Sequence, residues 1–336
     1  MGALLVEPRL PNLAATNAPA TDGQLGFVTT KVSDIKLFRV GQAEVVELQG
    51  QSIAIEKTLQ ELLEANLETF LGVQFLASEH STGKTHAGRI DTLGLDENSC
   101  PVIVEYKRAT NENVINQGLF YLDWLLDHKA EFTLLAMKKL GPEVQNKIDW
   151  TGPRLLCVAG NYTKYDEHAV QQINRNIELL RCRLYEGFLV LELVNATTGS
   201  PGQNELKVQP APKSSPSQYK TVTDLQAQAP AEIRNLYDSL EAYILALGSD
   251  VTKRPLKYYI AFRRIKNFAC VEFRPQVKHI LVFVKVDPAT VQLEPEFTRD
   301  VSAIGHFGTG DLEITIGSAR DLEKAKPLIL ASYEVA

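Results

Sequence analysis

Residues 88–108 read GRIDTLGLDENSCPVIVEYKR. Two strand-like runs flank a turn rich in Asp, Glu, Asn and Ser, the pattern of a β-hairpin. The first run carries Asp91. The second is apolar, Val102-Ile103-Val104, and then changes abruptly to Glu105-Tyr106-Lys107. Side chains alternate along a strand, so Glu105 and Lys107 share one face and Tyr106 points the other way. Paired across the hairpin, Asp91 reaches the same face. Two carboxylates and an ammonium then converge at the end of a buried strand. Burying three charges there is costly without a metal or strong mutual pairing. A divalent metal held by two carboxylates, with a lysine near its bound water, is chemistry suited to cutting phosphodiesters.

Outward from this hairpin the chain divides. Residues 1–24, with Pro8, Pro11 and Pro19, read as a weakly ordered tail. Residues 35–48 read as a further hairpin, and 54–71 as a helix with apolar residues at helical spacing and Gly72 past its end. Strands are expected near 73–79, 86–95 and 101–107, a helix over 112–128 and a strand over 154–159. A helix from about 166 to 180, with Asp166 as its N-cap, precedes strands near 181–186 and 188–194. Three strands in succession make the sheet mixed rather than a regular βαβ repeat. Residues 196–218 hold Pro201, Pro210, Pro212 and Pro216 among Gly, Ser, Gln and Asn, a linker composition. From 219 to 336 the pattern is a helix over 229–247, strands near 257–263, 268–274, 278–286 and 312–316, and a last helix over 319–333. The fold class is therefore α/β with a mixed sheet over 25–195, plus a second, small α+β domain over 219–336.

Composition narrows the function classes. Across 336 residues the net charge is −6, so the chain as a whole does not coat nucleic acid, although a local groove can still be basic. Cys100, Cys157, Cys182 and Cys270 are isolated, which argues against a zinc knuckle or redox motif. No apolar run is long enough to span a membrane and no signal-peptide pattern opens the chain, so a cytoplasmic protein is expected.

Asp91 followed by Glu105-x-Lys107 resembles the PD-(D/E)xK nuclease signature, with Ile90-Asp91 in place of the usual Pro-Asp. Glu56, opening the first helix, and Gln117-x-x-x-Tyr121 are similar to features of the RecB-like branch, in particular nucleases related to the mismatch-type endonuclease. The resemblance covers about residues 35–195 and implies a restriction-endonuclease-like core. It implies Mg²⁺ or Mn²⁺ held by Asp91, Glu105 and the Tyr106 carbonyl, with Lys107 orienting the attacking water. It also implies that Glu56 joins the metal site and that Gln117 and Tyr121 support it. The plain readings of these three are a first-turn glutamate favoured by the helix dipole and two residues that pack one turn apart.

Arg89 and Arg108 flank the site as candidate phosphate contacts, or are simply solvated. In residues 253–278 eight Lys and Arg face one Glu, with Tyr258, Tyr259, Phe262, Phe268 and Phe273 interleaved. Such a strip, Arg263, Arg264 and Lys266 included, is either a nucleic-acid platform or a hairpin with its aromatics in the core. The second domain also resembles a small domain of unknown function found behind nuclease-like proteins. The expectation is a metal-dependent endonuclease-like protein acting on nucleic acid, DNA in particular, with a homodimer left open. The rival reading is a catalytically weak nucleic-acid-binding or regulatory protein on the same fold.

Overall fold

The hairpin of residues 89–107 lies inside a mixed sheet, its first strand next to an edge strand. The computed structural model describes residues 35–41, 44–52, 57–107, 114–199 and 220–336. The expected tail, Glu56, Arg108 and most of the expected linker lie outside the described residues, as does the side chain of Lys107.

The chain begins with hairpin strands β1 (Leu37–Val40) and β2 (Val45–Leu48), then β3 (Gln51–Ser52). Helices α1 (Lys57–Ala65) and α2 (Leu67–Leu71) lead to β4 (Val73–Ser81), a short turn α3 (Gly83–His86), β5 (Arg89–Asp96) and β6 (Pro101–Lys107). Next come α4 (Val114–Asp127), α5 (Lys129–Leu140), β7 (Arg154–Ala159), α6 (Lys164–Gln171), β8 (Asn176–Tyr185) and β9 (Phe188–Ala196). The sheet order is β3-β8-β7-β6-β5-β4, with β9 also on β8. Strands β6, β7 and β8 run parallel, whereas β4, β5 and β6 run antiparallel. Alternation assigns the faces. Ile103, Leu155, Cys157 and Ile177 pack with Leu122, Trp124 and Phe132 of α4 and α5. Val102, Val104 and Leu156 pack with Leu63 and Leu67 of α1 and α2. Each fully buried side chain of this size contributes about 1.5–3 kcal/mol.

The second half contains α7 (Val222–Gln228), α8 (Ala231–Leu245), β10 (Thr252–Pro255), β11 (Ile260–Arg263), β12 (Asn267–Arg274), β13 (His279–Val284), β14 (Thr298–Asp300), β15 (Leu312–Ile316) and α9 (Ala319–Glu334). Its strands form a separate antiparallel sheet, order β10-β11-β12-β13-β15-β14. Tyr237 and Leu240 of α8 and Ile329 of α9 cover Phe262, Phe268, Phe273, Val282 and Ile314. No helix among the described residues is long and apolar enough to cross a membrane.

Several expected boundaries move. The helix placed at 166–180 ends at Gln171, and β8 starts at Asn176. Ile177, Leu179 and Leu180 satisfy either period over so short a run, and pairing with β7 decides for the strand. The N-cap is Thr163, whose hydroxyl and Asp166 close a capping box. The strand placed at 257–263 shortens to β11, and β10, which was not expected, precedes it across a turn.

Where the two sheets meet, they bury charge. Arg154 binds Glu178 with Nε at 3.0 Å and Nη2 at 2.8 Å, and Asp96 with Nη1 at 2.8 Å. From the second half, Arg254 Nη2 lies 3.3 Å from Glu178, and Arg263 Nη1 lies 3.6 Å from it. Asp96 Oδ1 also accepts the Asn98 and Cys100 amides and so shapes the β5–β6 turn. This corrects the platform reading for Arg263: it is 2% exposed and points inward, while Phe262, Phe268 and Phe273 are core residues. Arg264 pairs with Asp250 at 2.7 Å and lies over the Tyr333 ring, and Lys266 donates to the Thr69 carbonyl.

Burial alone would raise the Glu178 carboxyl, but Arg154, Arg263 and Arg254 outweigh it and hold it at about 2. A depressed carboxyl stabilises the fold above its ordinary range, and that contribution is lost as pH falls through about 2. Replacing Glu178 by Ala strands three buried guanidinium groups beside Asp96. Chemical denaturation at neutral pH is expected to show a loss of about 3–5 kcal/mol. A loss below about 1 kcal/mol, the range of a surface pair, would show that the cluster does not bind the halves together.

Candidate active site

At the opposite end of the same hairpin, Asp91 and Glu105 face each other. The β5–β6 register pairs Thr92 with Val104, which places Asp91 opposite Glu105. The Asp91 amide donates to Glu105 Oε1 at 3.2 Å, and the Tyr106 amide donates to Asp91 Oδ2 at 2.9 Å. Each carboxylate is thus held by the other strand's backbone. Glu105 is 1% exposed. Burial, and then the Asp91 charge beside it, push its carboxyl up to about 9. Lys107 ends the strand two residues on, and its backbone pairs with Ala159 of β7.

Two further helices position this pair. Gln60 of α1 donates to the Asp91 carbonyl at 3.4 Å and to Glu64 Oε1 at 3.0 Å. Glu64 also accepts the Thr92 hydroxyl at 2.5 Å, on the opposite face of β5. On the other side Tyr121 supports the start of β5, its hydroxyl accepting the Arg89 amide at 3.1 Å and Gln117 Nε2 at 3.4 Å. Gly88 is required there, because a Cβ would sit 2.6 Å from the Tyr121 ring.

The structure therefore brings together Asp91, Glu105, Gln117, Tyr121 and the backbones of Tyr106 and Arg89. The Arg89 side chain turns to Glu79, 3.0 Å away at the surface. Arg263, Arg264 and Lys266 lie with the second sheet, which docks near Asp96, whereas the carboxylate pair lies near the far end of β6. Six residues of strand separate the two ends of β6, about 20 Å. The sequence reading gave no role to Gln60 or Glu64. Their signal is positional, since helix residues one turn apart lie on one face.

Two adjacent carboxyl groups, one deeply buried, suit a divalent cation with oxygen ligands once both are ionised. Among the described residues, no group of three or more His, Cys, Asp or Glu side chains is arranged to hold a metal ion.

Comparison with known proteins gives three findings. Residues 222–336 match the family model described as domain of unknown function DUF5655. A Haemophilus influenzae protein described as uncharacterized is 30% identical over 302 residues, 88% of this chain and 98% of that one. A structure described as an EndoMS–dsDNA2 complex aligns with 19% identity and a TM-score of 0.23, over 43% of this chain and 49% of that chain.

The raised Glu105 value sets a pH dependence. The ordinary carboxyl value is 4.5 and the folded value about 9. The contribution of the protonated group is complete below the ordinary range and is lost as pH rises through about 9. A metal ion held here would require the carboxylate, so at pH 7 its binding would expel this proton. Calorimetry with Mn²⁺ in buffers of different ionisation heat is expected to show release of about one proton per ion, with affinity rising about tenfold per pH unit up to about 9. Glu105→Gln abolishes that release. Binding that is independent of pH would remove Glu105 from the ligand set.

Proposed function

We propose that this chain, which belongs to one family with the uncharacterized Haemophilus influenzae protein, is a divalent-metal-dependent nuclease-like hydrolase of nucleic-acid phosphodiesters, DNA in particular. The supporting observation is the Asp91–Glu105 pair, two carboxylates fixed 14 residues apart in sequence by reciprocal backbone hydrogen bonds at one strand edge. Asp91, Glu105 and the Tyr106 carbonyl would hold Mg²⁺ or Mn²⁺. When bound, such an ion polarises a phosphoryl oxygen and lowers the pKa of a coordinated water.

The chain's own residues do the rest. Glu105 gives up its proton and becomes a ligand, and Asp91 stays fixed by the Tyr106 amide. Lys107 supplies a cation that orients the attacking water and offsets charge developing on the phosphorus oxygens. Gln117 and Tyr121 act indirectly by holding the start of β5, two residues before Asp91. Gln60 holds the Asp91 carbonyl from the other side. The absence of a third acidic ligand among the described residues favours one alternative, a nucleic-acid-binding protein with weak catalysis. Glu56, outside the described residues, is the candidate for the missing group.

The test is cleavage of labelled single-stranded, duplex, branched and mismatched DNA and RNA with Mn²⁺. Asp91→Asn, Glu105→Gln and Lys107→Ala are each expected to lower the rate at least about 100-fold. Circular dichroism and melting curves should stay close to those of the parent. Unchanged turnover in all three variants would sink the nuclease reading. A parent that binds DNA without cutting any substrate would favour the binding protein.

A further inference from the structure

Strand β8 lies on the far side of β7 from Glu105. Its sequence, Asn176-Ile-Glu-Leu-Leu-Arg181-Cys-Arg183-Leu-Tyr185, changes from apolar to basic as it reaches the same edge. The parallel registers align Glu105 with Cys157 and Leu179, and Lys107 with Ala159 and Arg181. Cys157, Ala159 and Leu179 all belong to the core under α4 and α5, so Arg181 and Arg183, by alternation, stand on the face that carries the carboxylate pair. Two strand spacings, about 9.6 Å, separate the backbones of Lys107 and Arg181, with an alanine between them.

Arg181 is 6% exposed, yet it is not fully satisfied. Glu192 on β9 takes its Nη1 at 2.6 Å. Its Nε is buried and has no hydrogen-bond partner among the described residues, and the same holds for Arg183 Nε and for Asn161 Oδ1 on the loop after β7. A buried guanidinium donor without an acceptor is an uncommon expense in a folded protein and calls for an explanation. The carboxyl ends of parallel strands are where open α/β sheets receive ligands. A planar guanidinium whose orientation is fixed by a carboxylate presents an edge shaped for the oxygens of a phosphate.

We propose that Arg181 and Arg183 form a backbone-phosphate subsite at the carboxyl edge of β8, engaging a nucleic-acid phosphate away from the scissile bond. This rests on the nuclease reading and extends it. The Arg181 Nε edge and Arg183 place two cations at the strand ends, along which a polyanion can lie. Glu192 fixes the orientation of Arg181 and turns its Nε edge away from the Nη1 ion pair. The contacts involve no base, so the subsite contributes affinity and register rather than sequence preference.

The experiment uses the full chain with Ca²⁺ in place of Mn²⁺ and measures binding of fluorescent single-stranded and duplex DNA across a salt series. Arg181→Gln and Arg183→Gln are each expected to weaken binding about tenfold for every sequence, and to lower the slope of log K against log salt by about 0.7–0.9. Glu192→Gln removes the ion pair but keeps an oxygen acceptor for Nη1, so Arg181 keeps its orientation and its charge, and binding is expected not to weaken. A purely structural pair would make Arg181→Gln and Glu192→Gln alike. Should Arg181→Gln fail to fold, Arg183→Gln, at a half-buried position, gives the same reading. If the parent binds and cleaves DNA while both arginine variants keep its affinity and slope, the subsite is wrong and the nuclease reading stands. If the parent shows no salt-dependent binding, both fall together.

Discussion

The fold depends on one buried electrostatic knot. Arg154, Asp96 and Glu178 come from the first sheet, and Arg254 and Arg263 from the first hairpin of the second. Three guanidinium groups share two carboxylates away from water. Such a cluster adds little over an apolar core of equal volume, but breaking it is expensive, because each partner left behind is an unpaired buried charge. Its effect is to fix register. Asp96 ties the β5–β6 turn to Arg154, and Asn98 extends the tie to Tyr259 and Asn267 through hydrogen bonds of 2.8 and 2.7 Å. The same hairpin then delivers Asp91 and Glu105 to the other end of the sheet. The position of the candidate site therefore depends on how its far end is anchored.

The two ends of β6 treat charge in opposite ways. At the Asp96 end cations outnumber anions, and Glu178 is held ionised. At the Glu105 end two carboxylates meet, and one takes up a proton. The first arrangement is closed, with most partners supplied by the chain. The second sets the buried Glu105 carboxyl beside Asp91 and raises it, which is the character of a site that acts on something from outside.

Much of the first half could be read in the sequence. The apolar run ending in Glu105-x-Lys107 and the turn around Asp96 are local signals, and hairpin pairing alone set Asp91 across from Glu105. The misplaced parts depended on distant partners. Nothing near Arg254 announces that its acceptor is Glu178, 76 residues away. Arginines between aromatics read equally as a surface platform, and only the docking of the two sheets turns Arg254 and Arg263 inward. Arg181 and Arg183 were hidden for another reason. They fell on the expected strand 181–186, but only its register with β7 and β6 shows that they share the face of Glu105.

The knot also bears on how the chain comes apart. Residues 200–219 join the halves in sequence, but Glu178 loses two of its three guanidinium partners if the second half departs, and Arg254 loses its carboxylate. Neither half can melt without charging the other for it. The halves should accordingly unfold in a single calorimetric transition, and a polypeptide nicked between Gly199 and Lys220 should stay together as a two-piece complex.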